Sequence, residues 1–280
     1  MRIARTVAEL RAFYRNERPR GTSVAFVPTM GALHHGHLSL VRKARDAADL
    51  VVVSVFVNPL QFGPSEDYSR YPRDEARDLA LAESEDVNLV FLPSVEQMYP
   101  EGAVTTVRLE GPLTSTLEGA ARPGHFDGVA TVVAKLFNVV DPDFAVFGQK
   151  DAQQVAVVRR MVRDLDFRTE IVVAPTVREP DGLALSSRNA YLSPAESSAA
   201  TALYAALRAG EESAHTGGAD AAVASMNAVF EAAPGVELDY AAAVDPYTFE
   251  APATGEPLLL AVAARVGVTR LIDNVLLQPT

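Results

Sequence analysis

The chain has 280 residues, 48% hydrophobic and 22% charged, and a formal net charge of -11 at pH 7. This length and composition are typical of a compact globular protein of about two domains. The sequence contains no cysteine, which excludes disulfides, thiolate metal sites and thiol nucleophiles. The acidic balance argues against a general electrostatic grip on nucleic acid, although a local basic pocket could still hold a small anion.

No apolar run approaches the roughly 18 residues that a membrane-spanning helix requires. The first residues also lack the basic start, apolar core and small-residue cleavage site of a secretory signal. We therefore expect a cytoplasmic protein with neither a membrane nor a nucleic-acid partner.

Apolar, β-branched runs alternate with helical patterns through the first part of the chain. Strands are predicted at 22–28, 50–57, 87–93, 143–148 and 167–175, with helices at 37–48, 73–85 and 151–164. Buried parallel strands joined by crossover helices produce this rhythm. The predicted fold class is α/β, a doubly wound, Rossmann-like parallel sheet, whose ligands lie at the carboxyl ends of the strands.

The composition changes after Pro175. An alanine-rich stretch from about 194 to 232 predicts helix, interrupted at Gly217 and Gly218, and two short strands follow at 236–244 and 257–267. We predict a first domain over residues 1–175 and a smaller α+β domain over residues 176–280.

The stretch FVPTMGALHHGHLSL, residues 26–40, joins the first of these strands to a helix that begins near Gly36. The first turn of a helix has unpaired N–H groups and the positive end of the helix dipole, so it can bind an anion. His34 and His37 are three residues apart and can both face such an anion. A zinc site is disfavoured because no third ligand is near, and a purely structural turn remains an alternative. His35 is expected to be solvated.

Two further segments carry polar side chains after strands or in loops. In NPLQFG, residues 58–63, Gln61 offers both a donor and an acceptor, which suits a ligand with hydroxyls beside a carboxylate. In RPGHFDG, residues 122–128, Arg122 and His125 lie in a Gly- and Pro-containing loop, where a basic side chain could meet a carboxylate or phosphate. A structural turn and simple solvent exposure are the respective alternatives.

The segments FGQKDAQQ, residues 147–154, and LALSSRNAYL, residues 183–192, contain candidate phosphate ligands. Lys150 can reach phosphate oxygens as a point charge, and Asp151 could cap the helix or bind a ribose. Ser and Arg together form a common phosphate grip, as at Ser186, Ser187 and Arg188. A serine helix cap with a surface arginine is the alternative for this second segment.

The segment TMGALHHGH resembles the His-x-Gly-His phosphate loop of the nucleotidyltransferase superfamily. The segments at 58–63, 122–138, 147–154 and 181–192, together with ARVGVTRLIDN at 264–274, are similar to the pantothenate synthetase family in order and approximate spacing. The resemblance therefore covers essentially the whole chain. The sequence departs from the family pattern at Gln149 and Ala152, where the family often has a charged residue and an aromatic.

This resemblance implies an ATP-dependent ligase that joins pantoate to β-alanine through a pantoyl adenylate. It implies a first domain that binds ATP and pantoate, a second domain that acts as a lid, and a homodimer. It also implies Mg²⁺ bound through the phosphates, for which no dedicated protein cage is required. The catalytic residues would be His34, His37, Lys150 and Arg188. The residues implied to bind ATP are Met30, Gly31, His34, His37, Gly148, Lys150, Asp151, Val177, Ser186, Ser187 and Arg188. Those implied to bind pantoate or β-alanine are Gln61, Gln154 and Arg122.

Two other functions stay open at this point. One is another nucleotidyltransferase of the same superfamily, against which Gln61 and Gln154 argue, because a phosphate acceptor would need more basic residues. The other is a nucleotide-binding module without turnover, against which the complete set of donors argues.

Overall fold

The computed structural model describes residues 1–17, 19, 21–64 and 66–279. These divide into two compact units, one formed by Met1–Gly148 with Val157–Ala174 and the other by Gln149–Ala156 with Pro175–Thr280. Within the described ranges, no helix is both long and apolar enough to cross a membrane.

A six-stranded sheet, parallel throughout, forms the centre of the first unit. Its strands are β1 (Arg2–Ala4), β2 (Val24–Thr29), β3 (Leu50–Val55), β4 (Leu89–Phe91), β5 (Phe144–Gly148) and β6 (Glu170–Ala174). They lie in the order β1-β4-β3-β2-β5-β6, with Val24 opposite Leu50 and Gly148 opposite Ala174. This arrangement confirms the predicted doubly wound α/β sheet, and it adds β1, a strand that is not predicted from the sequence.

Helices fill the connections between these strands. They are α1 (Val7–Glu17), α2 (His35–Ala47), α3 (Glu75–Ser84), α4 (Val95–Met98), α5 (Pro112–Ser115), α6 (Glu118–Ala121), α7 (His125–Val140) and α8 (Ala152–Asp164). The amphipathic α2 buries Leu38, Val41 and Ala44, and Val41 and Ala44 belong to a core cluster that includes Val27 and Val53 of the sheet. Burial of these β-branched strand residues on both faces is typical of parallel sheets.

Among the described residues, the second unit contains a three-stranded antiparallel sheet, two complete helices and the beginning of α8. The strands β7 (Val236–Val244), β8 (Leu258–Val266) and β9 (Thr269–Leu277) follow one another in space, and α9 (Pro194–Ala200) and α10 (Ala202–Glu231) precede them. Strands β7 and β8 are predicted from the sequence, whereas β9 is not. A capping box between Ser193 and Glu196 begins α9.

The predicted interruption of the alanine-rich helix is confirmed at Gly218, where φ is 70° and ψ is -160° inside α10. The two halves of α10 lie side by side, since Ser213 and Ser225 share a hydrogen bond of 2.6 Å between their hydroxyls. A Cβ on Gly210 would lie 2.8 Å from Cγ of Met226. Glycine at position 210 therefore permits this close packing.

Candidate active site

Three adjacent strands of the first unit end in candidate site residues. The order β3-β2-β5 brings together the segments that follow Val55, Thr29 and Phe147. In doubly wound sheets, ligands bind at the carboxyl ends of the strands, next to the topological switch point where the strand order reverses. The structure thus brings together Met30, Gly31, His34, His37, Gln61 and Gly148 at one edge of this sheet.

The turn after β2 has an unusual backbone, which a buried carboxylate stabilises. Gly31 has φ of 83° and Ala32 has φ of 50°. The Asp78 carboxylate on α3 accepts the N–H of Ala32 at 2.9 Å and that of Leu33 at 2.7 Å, while Thr29 Oγ1 accepts the N–H of Gly31 at 3.1 Å. Desolvation raises the pKa of Asp78, and the two N–H donors oppose that rise.

Sequence reasoning missed Asp78. In the sequence it is one of several acidic residues in a helical pattern, and no local motif distinguishes it from a solvated carboxylate. Its side chain is nearly inaccessible, at 3% exposure of the residue, and it bonds residues 45 and 46 positions away. Only the tertiary structure shows that it supports the loop leading to His34.

His34 and His37 lie together at the beginning of α2. His34 is the N-cap, and its Nδ1 accepts the N–H of Gly36 at 3.1 Å. A neutral His34 ring therefore has its proton on Nε2, which is a hydrogen-bond donor. The His37 ring centroid lies 4.1 Å from that of His34. Both residues are half-buried, whereas His35 is exposed, so the two rings form the polar pair that the sequence predicts.

Gln61 ends a short 3₁₀ turn, Pro59–Gln61, that follows β3. Its Oε1 accepts from Asn58 Nδ2 at 3.1 Å, and its Nε2 lies 3.2 Å from Sδ of Met30. Asn58 is buried and also accepts from the hydroxyl of Tyr99 at 2.8 Å. The turn approaches α7 so closely that a Cβ on Gly128 would lie 2.3 Å from the carbonyl oxygen of Leu60. These contacts fix the orientation of the Gln61 amide.

Arg122 is half-buried and lies between α6 and α7, whereas His125 belongs to α7. Neither side chain is exposed to solvent. Arg122 forms a bidentate ion pair with Glu66, with two N···O distances of 2.7 Å, and it also donates to the Gln61 carbonyl at 3.3 Å. His125 is the first residue of α7 and is buried. The carboxylate that Arg122 meets in this structure is therefore that of Glu66.

His125 is held in a defined neutral form. Burial, together with the positive charge of Arg122, lowers the pKa of His125 to about 4. Its Nδ1 lies 2.8 Å from the Gln61 carbonyl oxygen and its Nε2 lies 3.0 Å from Nη1 of Arg122. Since the guanidinium can only donate, Nε2 is the acceptor and Nδ1 carries the proton. Burial alone would raise the pKa of Glu66, but Arg122 holds it below the usual value.

In the second unit, Lys150 lies in a 3₁₀ turn, Gln149–Asp151, directly before α8. Its side chain is 20% exposed, and its Nζ lies 3.8 Å from Oδ1 of Asp151. Asn274 of β9 donates to the carbonyls of Gln149 at 3.0 Å and of Lys150 at 2.8 Å. Gln154 is half-buried in the first turn of α8.

The remaining candidates of the second unit lie along residues 177–188. The carbonyl of Val177 accepts the N–H of Leu185 at 2.9 Å. Ser186 begins a 3₁₀ turn, Ser187–Tyr191, and its hydroxyl accepts the N–H of Arg188 at 3.3 Å. The serine cap, given above as the alternative to a phosphate grip, therefore exists at Ser186 and orients the turn that contains Ser187 and Arg188.

The part of the chain that the structure describes contains no group of three or more His, Asp or Glu side chains suited to a metal ion. Asp78, the buried carboxylate that supports the turn before His34, uses both oxygens for backbone N–H groups.

Comparison with known proteins identifies the family of this chain. The sequence model of the pantoate-beta-alanine ligase family matches residues 2–276. A pantothenate synthetase of Acidobacterium capsulatum is 56% identical over 100% of this chain and 98% of its own length.

Two solved structures are also similar. The crystal structure of pantothenate synthetase from Thermus thermophilus is 55% identical, with full coverage of both chains and a TM-score of 0.93. A pantoate-beta-alanine ligase from Francisella tularensis, crystallised with beta-gamma ATP and beta-alanine, is 36% identical over 99% of this chain and 97% of its own, with a TM-score of 0.82. With its fold, its histidine pair and these full-length matches, the chain belongs to the pantoate-beta-alanine ligase family.

Proposed function

We propose that this protein catalyses the ATP-dependent condensation of pantoate with β-alanine to pantothenate. The observation that carries the proposal is the full-length family match over residues 2–276. The histidine pair at the start of α2 and the fixed amide of Gln61 supply the chemistry that such a reaction requires.

The reaction needs two steps because a carboxylate resists attack by an amine. In the first step a pantoate carboxylate oxygen attacks the α-phosphorus of ATP, and the bond to the bridging oxygen breaks to release pyrophosphate. In the second step the β-alanine amine attacks the carbonyl carbon of the pantoyl adenylate, AMP leaves, and the nitrogen loses a proton. Negative charge spreads over phosphate oxygens in the first step, so positioned donors stabilise its transition state.

The proposed donors to these oxygens are His34, His37, Lys150 and Arg188. His34 presents Nε2–H, because Nδ1 is occupied by the N–H of Gly36, and the α2 N-terminus adds its partial positive charge. The remaining proposed ATP ligands are Met30, Gly31, Gly148, Asp151, Val177, Ser186 and Ser187. Mg²⁺ is proposed to arrive with ATP and to neutralise part of the triphosphate charge when bound.

Pantoate and β-alanine are assigned to Gln61 and Gln154, with Arg122 in support. The Gln61 amide can bind a hydroxyl and a carboxylate at once. Arg122 is already paired with Glu66, so we assign its contribution to the Gln61 carbonyl that it binds. A homodimer, implied by the family resemblance, is a further prediction that a mass measurement in solution tests.

The decisive assay supplies ATP, Mg²⁺, pantoate and β-alanine and measures AMP. AMP formation that depends on both organic substrates, together with pyrophosphate–ATP exchange that depends on pantoate alone, supports the proposal. Transfer of the nucleotide to a phosphate or alcohol would instead favour another nucleotidyltransferase, and binding of ATP without turnover would favour a regulatory module. His37→Ala should lower exchange by about 100- to 1,000-fold, whereas His35→Ala is the matched histidine control that should keep it.

A further inference from the structure

The segment ARVGVTRLIDN, residues 264–274, has no role in the proposed reaction. In the structure more than half of it belongs to β9, and its last two residues, Asp273 and Asn274, are both buried. Buried polar side chains require hydrogen-bond partners. The partners of these two side chains are the chain segments that carry proposed ATP ligands.

Asn274 binds the 3₁₀ turn around Lys150 with three hydrogen bonds. Its Nδ2 donates to the carbonyls of Gln149 and Lys150, at 3.0 and 2.8 Å. Its Oδ1 accepts from Nε2 of Gln149 at 2.9 Å. Both amide hydrogens of Asn274 are therefore used. The third hydrogen bond, to Oδ1, comes from the side chain of Gln149, which is one of the two departures from the family pattern.

These bonds constrain Lys150 in particular. The carbonyl of Gln149 belongs to the peptide group before the Lys150 Cα, and the carbonyl of Lys150 belongs to the one after it. Fixing both peptide groups fixes the direction in which the Lys150 side chain leaves the backbone. A lysine side chain has four rotatable bonds and many rotamers, so ordering it costs much entropy. When its Cα and Cβ are held in one orientation, the ammonium can reach fewer positions.

The neighbouring Asp273 holds the second segment. Its Oδ1 accepts from Nη2 of Arg178 at 2.9 Å, and the guanidinium of Arg178 lies 4.3 Å from the ring centroid of Tyr204. Arg178 directly follows Val177, a proposed ATP ligand. Adjacent residues of β9 thus bind two segments that the proposed function assigns to the nucleotide.

We propose that Asn274 is a positioning residue that sets the orientation of Lys150 for adenylate formation. This assignment rests on the proposed function. The alternative is a purely structural role, in which Asn274 only holds β9 against the turn. An experiment can separate the two roles. Only in the positioning role does the loss of kcat on substituting Asn274 depend on the presence of Lys150.

The test is a double-mutant cycle on pantoate-dependent pyrophosphate–ATP exchange, using Asn274→Ala, Lys150→Ala and the combined variant. We expect Asn274→Ala to lower kcat by about 10- to 100-fold, as a displaced catalytic group does, with little change in KM for pantoate. In the Lys150→Ala background the same substitution should change kcat by less than about 2-fold, because coupled residues are non-additive. Arg270→Ala, which removes an ion pair of β9 with Asp239, is the control and should keep wild-type exchange.

Asn274→Ser provides a second variant if the alanine variant does not fold. Its single hydroxyl cannot replace both hydrogen bonds that Nδ2 donates, so it should also lower exchange. Wild-type exchange in folded Asn274→Ala or Asn274→Ser overturns the assignment, and so does an equal effect in the two backgrounds or unfolding of both variants. If the wild-type chain itself shows no pantoate-dependent exchange, the proposed function fails first, and the role of Asn274 fails with it.

Discussion

The carboxylate of Asp78 bonds the backbone of Leu33, whose N–H lies 2.7 Å from Oδ1, and so one buried side chain supports the turn before the histidine pair. Asp78→Asn keeps the size of the side chain but turns an NH₂ group toward one of the two N–H donors. We expect a loss of about 1–3 kcal/mol in the free energy of unfolding, measured by urea denaturation. Pyrophosphate–ATP exchange should fall by about 10- to 100-fold, because the loop that leads to His34 shifts.

Asp74→Asn is the matched control for this prediction. Asp74 caps the same helix, α3, by accepting the N–H of Arg77, and asparagine caps helices equally well. Its variant should keep both stability and exchange. Equal behaviour of Asp78→Asn and Asp74→Asn would contradict the role given to Asp78.

Gly31 is the second support of this turn. Its φ of 83° strains any residue with a Cβ, and a Cβ there would lie 2.8 Å from Asp78 Oδ2 and 2.9 Å from Val55 Cγ1. Gly21 has the same φ of 83°, but among the described residues, its chain neighbours aside, a Cβ at Gly21 would have no heavy atom within 4 Å. Gly21→Ala should therefore cost only the backbone strain, about 1 kcal/mol, and Gly31→Ala about 1–3 kcal/mol more. Equal thermal unfolding of the two variants would show that the close approach at Gly31 is unimportant.

One substitution can separate the observed capping role of His34 from its proposed role as a phosphate ligand. As N-cap it accepts the N–H of Gly36, and as proposed phosphate ligand it donates through Nε2. His34→Asn retains a good cap but lacks that donor, so stability should change by less than about 0.5 kcal/mol while exchange falls by about 100-fold or more. His34→Ala loses both and should also lose about 1 kcal/mol of stability. Wild-type exchange by His34→Asn would assign the residue to capping alone.

The strands with regular apolar patterns can be predicted from the sequence, but the long-range side-chain contacts that support the site cannot. Strands such as Val24–Thr29 and Leu50–Val55 are mostly apolar runs, interrupted only by a hydroxyl residue, that the parallel-sheet pattern identifies. Strand β9, whose sequence TRLIDNVLL contains a buried Asp-Asn pair, departs from simple apolar alternation, and only its pairing with β8 defines it.

The same contrast holds for the site. The strand-to-helix position of His34 and His37 follows from local sequence, because it depends on neighbours within a few residues. The roles of Asp78, Glu66 and Asn274 depend on partners 45 or more positions away, and a single acidic or amide residue carries no local signal of such a partner. The prediction that His125 lies in a loop is wrong, because α7 begins at His125, directly after Pro123 and Gly124.

Gln61 should determine the affinity for pantoate rather than for ATP. Gln61→Glu keeps the acceptor for Asn58 Nδ2 but replaces the NH₂ donor by an oxygen and adds a negative charge facing an anionic substrate. We expect KM for pantoate to rise by about 10- to 100-fold, the effect of losing a hydrogen bond to a charged group, with KM for ATP nearly unchanged. Gln97→Glu adds the same charge at an exposed position and should alter neither value. An increase confined to KM for ATP would contradict the assignment of Gln61.

His125 should make the stability of the protein depend on pH. Its pKa is lowered from 6.5 to about 4 by burial and by Arg122, so the unfolded chain binds a proton at a higher pH than the folded chain. The stabilisation is therefore complete above pH 6.5 and is lost as the pH falls toward 4, by up to about 3 kcal/mol. Asn at this position can place Nδ2 where His125 Nδ1 donates to the Gln61 carbonyl, but it does not titrate. Urea unfolding between pH 7 and pH 4 should thus show a shallower loss of stability for His125→Asn than for the wild-type chain, and equal slopes would mean that His125 is not held neutral by its surroundings.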